Sequence, residues 1–457
     1  MYKKPVIAIF DVGKTNKKLF LFDENYQIVF ERSARFLETI DEDGDPCENL
    51  ESLRLSVFDS LHEVFRNREF DVKAINFTTY GASLVYLGEN GQPLLPLYNY
   101  LKPYPASISQ SLYEEYGGET EFCVRTASPA LGSLNAGLQL YRIAIEKPEV
   151  FSEVSHVLHL PQYMSFLISG KMYSDMTSIG CHTALWDFEK KKYHDWVKEK
   201  GVEGKLAPII SGSQSLSSTF PGSTYLVGTG LHDSSAALIP YLLSFKEPFV
   251  LISTGTWSIC FNPFHGETLS KEELDNDCLL YLNYLGDPVK ASRLFLGNEH
   301  DVQSKRIASY FGLSPVVFRN IGIDWALVDQ LSSDSNYVLP DLNSFDKVDL
   351  SLFASAEEAY HALMLHLVNM QVKALELVIN RKKPIKRVFV DGGFSKNHIF
   401  MQLLAEKLMD IEVFAASMAQ ATALGAALVI HDFWNNNPLP RDIIELKYYA
   451  RLENQKL

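Results

Sequence analysis

The sequence predicts an α/β fold in two halves that face each other across a cleft. Two observations carry this. Strand and helix patterns alternate along the chain, and the order strand, short glycine- and hydroxyl-bearing loop, strand occurs near the start of each half. A length of 457 residues with 46% hydrophobic and 12% aromatic content is enough to fill more than one sizeable core.

The first such unit is Val6 to Phe10, a polar loop from Asp11 to Lys18, and the apolar run Leu19 to Phe22 closed by Asp23. Gly13-Lys14-Thr15 also ends a nucleotide-binding P-loop, but that motif needs a glycine where Ala8 stands and a helix where a second strand follows. The loop can hold phosphate only by another architecture. Leu50 to Phe70 has helical spacing, Lys73 to Phe77 reads as a strand, and Thr78-Thr79-Tyr80-Gly81 as a turn of small and polar residues. Helical patterns follow at Leu134 to Ile145 and Met164 to Ile168. The Gly-, Ser- and Pro-rich stretch 201–230 predicts a joint, dividing the chain into residues 1–225 and 226–457.

In the second half, Pro248 to Ile252 leads through Ser253-Thr254-Gly255-Thr256-Trp257-Ser258 into Ile259 to Phe261. Ala356 to Ile379 reads as a core helix. The strand Arg387 to Val390 then meets Asp391-Gly392-Gly393-Phe394-Ser395-Lys396-Asn397, where paired glycines and a capped helix start would let a flat ligand lie against bare backbone. After a strand at Ile411 to Phe414, Ala421 to Leu428 is a helix of small residues that another helix or a nucleotide could approach closely. Asp233, in Gly230-Leu231-His232-Asp233, reads by itself either as a helix cap or as an acid at a helix start.

Taken in order, these stretches resemble the FGGY family of carbohydrate kinases, which share the actin, hexokinase and chaperone-ATPase fold. The resemblance implies two actin-like (ribonuclease H-like) domains, each a mixed sheet flanked by helices, with a catalytic cleft between them. The family's first phosphate loop looks like DxGTTSxK, against Asp11-Val12-Gly13-Lys14-Thr15-Asn16-Lys17-Lys18 here, with Lys14 a departure. It implies ATP and Mg²⁺ as cofactors. Asp233 would be the catalytic base and Asp11 the residue that orients the metal. Phosphate contacts would come from Gly13, Lys14, Thr15, Asn16 and Lys18, and from Thr254, Gly255 and Thr256; adenosine contacts would come from Gly392, Gly393, Ser395 and Asn397.

On the acceptor side the resemblance assigns Thr79, Tyr80, Gly81, His232 and Asp233. Thr79 to Ser83 looks like the Thr-Trp-Gly-Val-Asp of rhamnulose-type kinases without its acid, and the Asp-x-Arg of many members is replaced by the uncharged stretch from Leu97 to Leu101 and then Lys102. L-fuculose or L-rhamnulose is the leading expectation, with xylulose, ribulose or another polyol as alternatives. A nucleotide-binding regulatory protein on the same fold is the reading from a different class. A dinucleotide-binding enzyme is disfavoured because no Gly-x-Gly-x-x-Gly opens a helix.

A net charge of -14 argues against a nucleic-acid or anionic-membrane surface, and no apolar run approaches the ~18 residues of a membrane span. Five scattered cysteines suggest neither a zinc cage nor a disulfide framework, and fit a cytoplasmic protein. The expected partner is a small sugar, and a homodimer is left open.

Overall fold

The computed structural model describes residues 3–14, 16–34, 37–333, 345–380 and 382–450. Two seven-stranded mixed sheets organise it. The first contains β1 (Lys4–Val12), β2 (Lys17–Asp23), β3 (Ile28–Ala34), β4 (Phe70–Thr79), β5 (Ser215–Ser217), β6 (Leu226–Gly228) and β7 (Leu231–His232). Its order is β5-β6-β4-β1-β2-β3, with β7 also on β4. The second contains β8 (Phe249–Thr254), β9 (Ser258–Asn262), β10 (Cys278–Leu282), β11 (Pro288–Leu294), β12 (Arg387–Gly392), β13 (Glu412–Ser417) and β14 (Glu445–Tyr449), in the order β10-β11-β9-β8-β12-β13-β14.

The halves repeat one topology. In each, an antiparallel set (β1, β2, β3; β8, β9, β11) continues into parallel neighbours (β4 and β6; β12 and β13). The duplication read from one repeated hairpin is therefore a repeat of whole sheets. Residues 201–230, expected as a joint, instead supply β5 and β6, so the change of sheet falls between His232 and Phe249.

Strand β1 is buried on both faces because its side chains alternate between two cores. Val6, Ala8 and Phe10 point to one core, and Ile7 and Ile9 to the other. On the first side lies α1 (Leu50–Arg66), which presents Leu53, Val57, Leu61 and Val64 at helical spacing and is capped by Asn49, whose Oδ1 accepts from Ser52 N at 2.9 Å. On the other side lie α2 (Asp233–Ser244) and α6 (Ala421–Leu428), numbered so as to leave α3 (Leu296–Tyr310), α4 (Ala356–Glu376) and α5 (His398–Lys407) between them. Helix α2 contributes Ala236 and Ile239 to the core under the first sheet, and Leu238 and Tyr241 to the core under the second. It is thus the layer between the two sheets. Small residues of α6 serve this packing, since a Cβ on Gly425 would lie 1.8 Å from Ala236 O. What approaches that helix is another helix. Among the described residues, no helix is long and apolar enough to cross a membrane.

Candidate active site

The site begins at the carboxyl ends of three parallel neighbours, β1, β4 and β7. Asp11 pairs with Thr78 and Val12 with Thr79, while Leu231 and His232 pair with the same two residues from the other side. This register brings Asp11, the Thr79-Tyr80-Gly81 turn and His232-Asp233 to one end of the first sheet, where parallel α/β sheets bind their ligands. Asp233 is the first residue of α2, and the N-cap is His232. Capping is therefore not the role of the Asp233 side chain. Its Oδ1 accepts from Ser234 N at 2.5 Å and Ser234 Oγ at 3.2 Å, and burial pushes its carboxyl up to about 6.

Asp11 accepts a 2.7 Å hydrogen bond from Thr422 Oγ1 on α6. Burial pushes this carboxyl up to about 6 as well, opposed by the Thr422 hydroxyl and reinforced by the negative charge of Asp233. Two carboxyls that burial raises to about 6, one of them also facing the charge of the other, are suited to accept a proton or a cation. His232 is pushed down to about 4 by burial and so is neutral at pH 7. Its Nε2 lies 3.2 Å from Asp233 Oδ1 and 3.1 Å from Cys181 Sγ, and its ring stacks on Tyr281 at 5.9 Å. A Cβ at Gly81 would come within 3.1 Å of that ring, so the absence of a side chain there lets the turn close on His232.

In the first loop, Gly13 N donates to Asn16 O at 2.8 Å, which turns the chain between β1 and β2. Thr15 lies outside the described residues. Asn16 is exposed, and Lys18 Nζ is 2.6 Å from Glu31 Oε1. The Lys14 ammonium does not point along the loop. It sits 3.4 Å from Glu48 Oε1, over the rings of Tyr80 and Tyr100.

The second sheet holds the remaining candidates together in a separate cluster. Thr254 pairs with Gly392 across β8 and β12. Its hydroxyl donates to Asp391 O and accepts from Phe394 N at 3.0 Å, so Thr254 fastens the two loops to each other. Gly392 has φ +86, and a Cβ there would be 1.8 Å from Thr254 O. Thr256 O accepts from the first amides of α3, Gly297 N at 3.1 Å and Asn298 N at 3.2 Å, while Gly255 N donates to Trp257 O at 2.8 Å. Ser395 Oγ donates to Gly392 O at 2.8 Å. Asn397 caps α5 through Phe400 N at 3.0 Å and donates to Tyr360 Oη at 3.1 Å. Beside this loop opens a cavity of about 710 Å³ lined by Gly393, Lys396, Asn397, Arg319, Asn320 and Tyr360.

Residues 6–239 match the N-terminal domain of the FGGY family of carbohydrate kinases, and residues 246–438 match the carbohydrate kinase FGGY C-terminal domain. The chain belongs to the FGGY family of carbohydrate kinases. It is a phosphotransferase acting on a small sugar, in a family that uses ATP as phosphate donor, generally with Mg²⁺. A rhamnulokinase of Mannheimia succiniciproducens is 23% identical over 447 residues, covering 92% of this FGGY kinase and 88% of that protein. A carbohydrate kinase from Novosphingobium aromaticivorans superposes with a TM-score of 0.80 at 22% identity, covering 99% of this chain and 95% of that one. A ligand-bound xylulose kinase from Lactobacillus acidophilus gives 0.78 at 16% identity, covering 98% and 94%. These two likenesses show the actin-like ATPase fold.

Three residues of this FGGY kinase escaped the sequence reading. Thr422 lies in the small-residue helix that another helix or a nucleotide could approach and carries no signal of its own there, Cys181 has no motif around it, and Glu48 is only the residue before a helix cap. Among the described residues, no group of three or more His, Cys, Asp or Glu side chains is placed to hold a metal ion. The Asp11 carboxyl still fits Mg²⁺, a hard cation that takes one or two carboxylates and completes its shell with water and phosphate oxygens.

Proposed function

We propose that this FGGY kinase transfers the γ-phosphate of ATP to a hydroxyl of a ketose, with L-rhamnulose and L-fuculose first among the acceptors to be tried. The observation that carries the reading is Asp233, an acid held partly protonatable by burial at the head of the helix between the two sheets, beside Asp11. Asp233 takes the proton of the acceptor hydroxyl as its oxygen attacks the γ-phosphorus. The bond from that phosphorus to the β,γ-bridging oxygen breaks, and ADP leaves with the electron pair.

Asp11 would orient Mg²⁺, which when bound neutralises charge on the β- and γ-phosphates. The loop that follows β1 and the loop between β8 and β9 would face phosphate oxygens, and the cavity beside Gly393 would take adenosine. Thr79, Tyr80, Gly81 and neutral His232 wall the acceptor side. The rhamnulokinase named above supports the choice of acceptor, and the five buried free cysteines are in keeping with a reducing cytoplasm.

The deciding experiment is ATP consumption against L-rhamnulose, L-fuculose, D-xylulose, L-ribulose and D-gluconate. Turnover with at least one ketose is expected. ATP binding without turnover on any of them would replace this reading with that of a nucleotide-binding regulatory protein.

A further inference from the structure

Glu48 is a buried carboxylate at the amino-terminal end of α1, and its two oxygens differ. Oε1 accepts from Tyr80 Oη at 2.9 Å and lies 3.4 Å from both Lys14 Nζ and Lys17 Nζ. Oε2 is shielded from solvent and has no hydrogen-bond partner among the described residues, and only 3% of the side chain is exposed. An unmade hydrogen bond on a buried polar atom is costly, and a ligand that supplies the donor recovers that cost on binding.

The surroundings of Glu48 belong to the acceptor side of the cleft. Tyr80 directly follows Thr79, the partner of His232 across the sheet, and precedes Gly81, where a Cβ would come within 3.1 Å of the His232 ring. Lys14 is three residues beyond Asp11, with its ammonium 5.5 Å from the Tyr80 ring centroid and 5.6 Å from that of Tyr100. Tyr80 and Tyr100 meet edge to face at 6.0 Å. Burial, and then the charges of Asp233 and Glu48, push the Tyr100 phenol up.

We propose that Glu48 and Lys14 are the acceptor-recognition pair of this kinase and that they take a neutral vicinal diol. One hydroxyl donates to Glu48 Oε2, and its neighbour accepts from the Lys14 ammonium. This rests on the kinase reading above and specifies its substrate class. A sugar acid presenting its carboxylate there has no proton for Oε2 and is repelled by Glu48. The pair stands in a chain whose Leu97 to Leu101 stretch is uncharged, so charged recognition of the polyol comes from the first loop and from the residue before the α1 cap.

The test is steady-state kinetics of the wild type, Glu48→Gln and Lys14→Met on the same five acceptors, with ATP and acceptor varied separately. For the best ketose, KM for the acceptor rises about tenfold or more in each variant, while KM for ATP stays within about twofold, because removing one partner of a hydroxyl-recognition pair acts on that ligand alone. The wild type turns over D-gluconate far more slowly than that ketose. An unchanged acceptor KM, an equal rise in KM for ATP, or a wild type that prefers D-gluconate would overturn the pair. If Glu48→Gln does not fold, Lys14→Met decides the question, since its side chain is 26% exposed and tolerates replacement. Absence of turnover by the wild type on all five acceptors would instead refute the kinase reading, and this inference with it.

Discussion

Replacing Asp233 with Asn separates a base from a structural residue, because the two roles move turnover and stability in opposite directions. Asn keeps an oxygen to accept from Ser234 N, but it cannot take a proton from the acceptor. Turnover should fall by roughly 10²- to 10⁴-fold, the usual contribution of a positioned general base. Stability should rise. Burial lifts this carboxyl from 3.8 to about 6, so between those pH values the folded chain binds more protons than the unfolded one and stability falls as pH increases.

Taken at full value that lift is about 3 kcal/mol, at about 1.4 kcal/mol per pKa unit. With 30% of the side chain exposed to screening solvent, on the order of 1–2 kcal/mol is the better expectation. Above pH 7 the wild type therefore carries an ionised acid in a site that disfavours it, and the Asn variant does not. Thermal melting at pH 8 should show the variant above the wild type, and the difference should shrink through pH 4 and vanish only below about pH 3, where the acid is protonated in both states. ADP release measured alongside gives the turnover. A variant within about tenfold of wild-type turnover, or one that melts below it at pH 8, would remove Asp233 from the role of base.

Further outcomes follow from the neighbouring residues. The acid limb of kcat/KM should fall steeply below about pH 6, because Asp11 and Asp233 are both pushed up to about 6 and both must be ionised; a profile flat down to pH 5 would contradict this. Asp11→Ala should raise the Mg²⁺ concentration needed for half-maximal activity and lower kcat, and unchanged metal dependence would sink the assignment. Thr254→Val removes two hydrogen bonds between β8 and the Gly392 loop, so we expect a loss of about 2 kcal/mol in unfolding free energy and a raised KM for ATP with the acceptor KM unmoved. Because Asp11 and Asp233 sit on the first sheet and the Gly393 cavity on the second, sugar and nucleotide together should compact the molecule. An unchanged radius of gyration in small-angle scattering with both bound would favour a rigid cleft.

Much of this architecture is legible in the chain itself. The hairpins at Val6 to Asp23 and Pro248 to Phe261 are legible because continuous apolar runs bounded by turn residues act over a few residues. The strand-to-helix turn at Asp391 to Asn397 is legible for the same reason, and Asp233 is visible as an acid at a helix start. Local patterns of this kind also exclude a P-loop, since Ala8 occupies the place of a required glycine. The stretch 201–230 misled for a physical reason. Its serines and glycines look like a linker, but short strands need little apolar sequence when β4 supplies the hydrogen-bonding edge.

The side-chain partners at the site were decided by tertiary structure alone. Asp11 meets Thr422 across 411 residues, and Lys14 meets Glu48 across 34. Neither separation leaves a periodic signal. The carboxyls of Asp11 and Asp233 are pushed up because the fold buries them, and Asp11 further because it feels the charge of Asp233, an interaction that depends on distance in space rather than along the chain. Residue types and spacing determined that this protein has two repeated halves with a glycine- and hydroxyl-bearing hairpin loop in each. Packing of α2 and α6 against the first sheet determined that Asp11 meets Thr422 and feels the charge of Asp233.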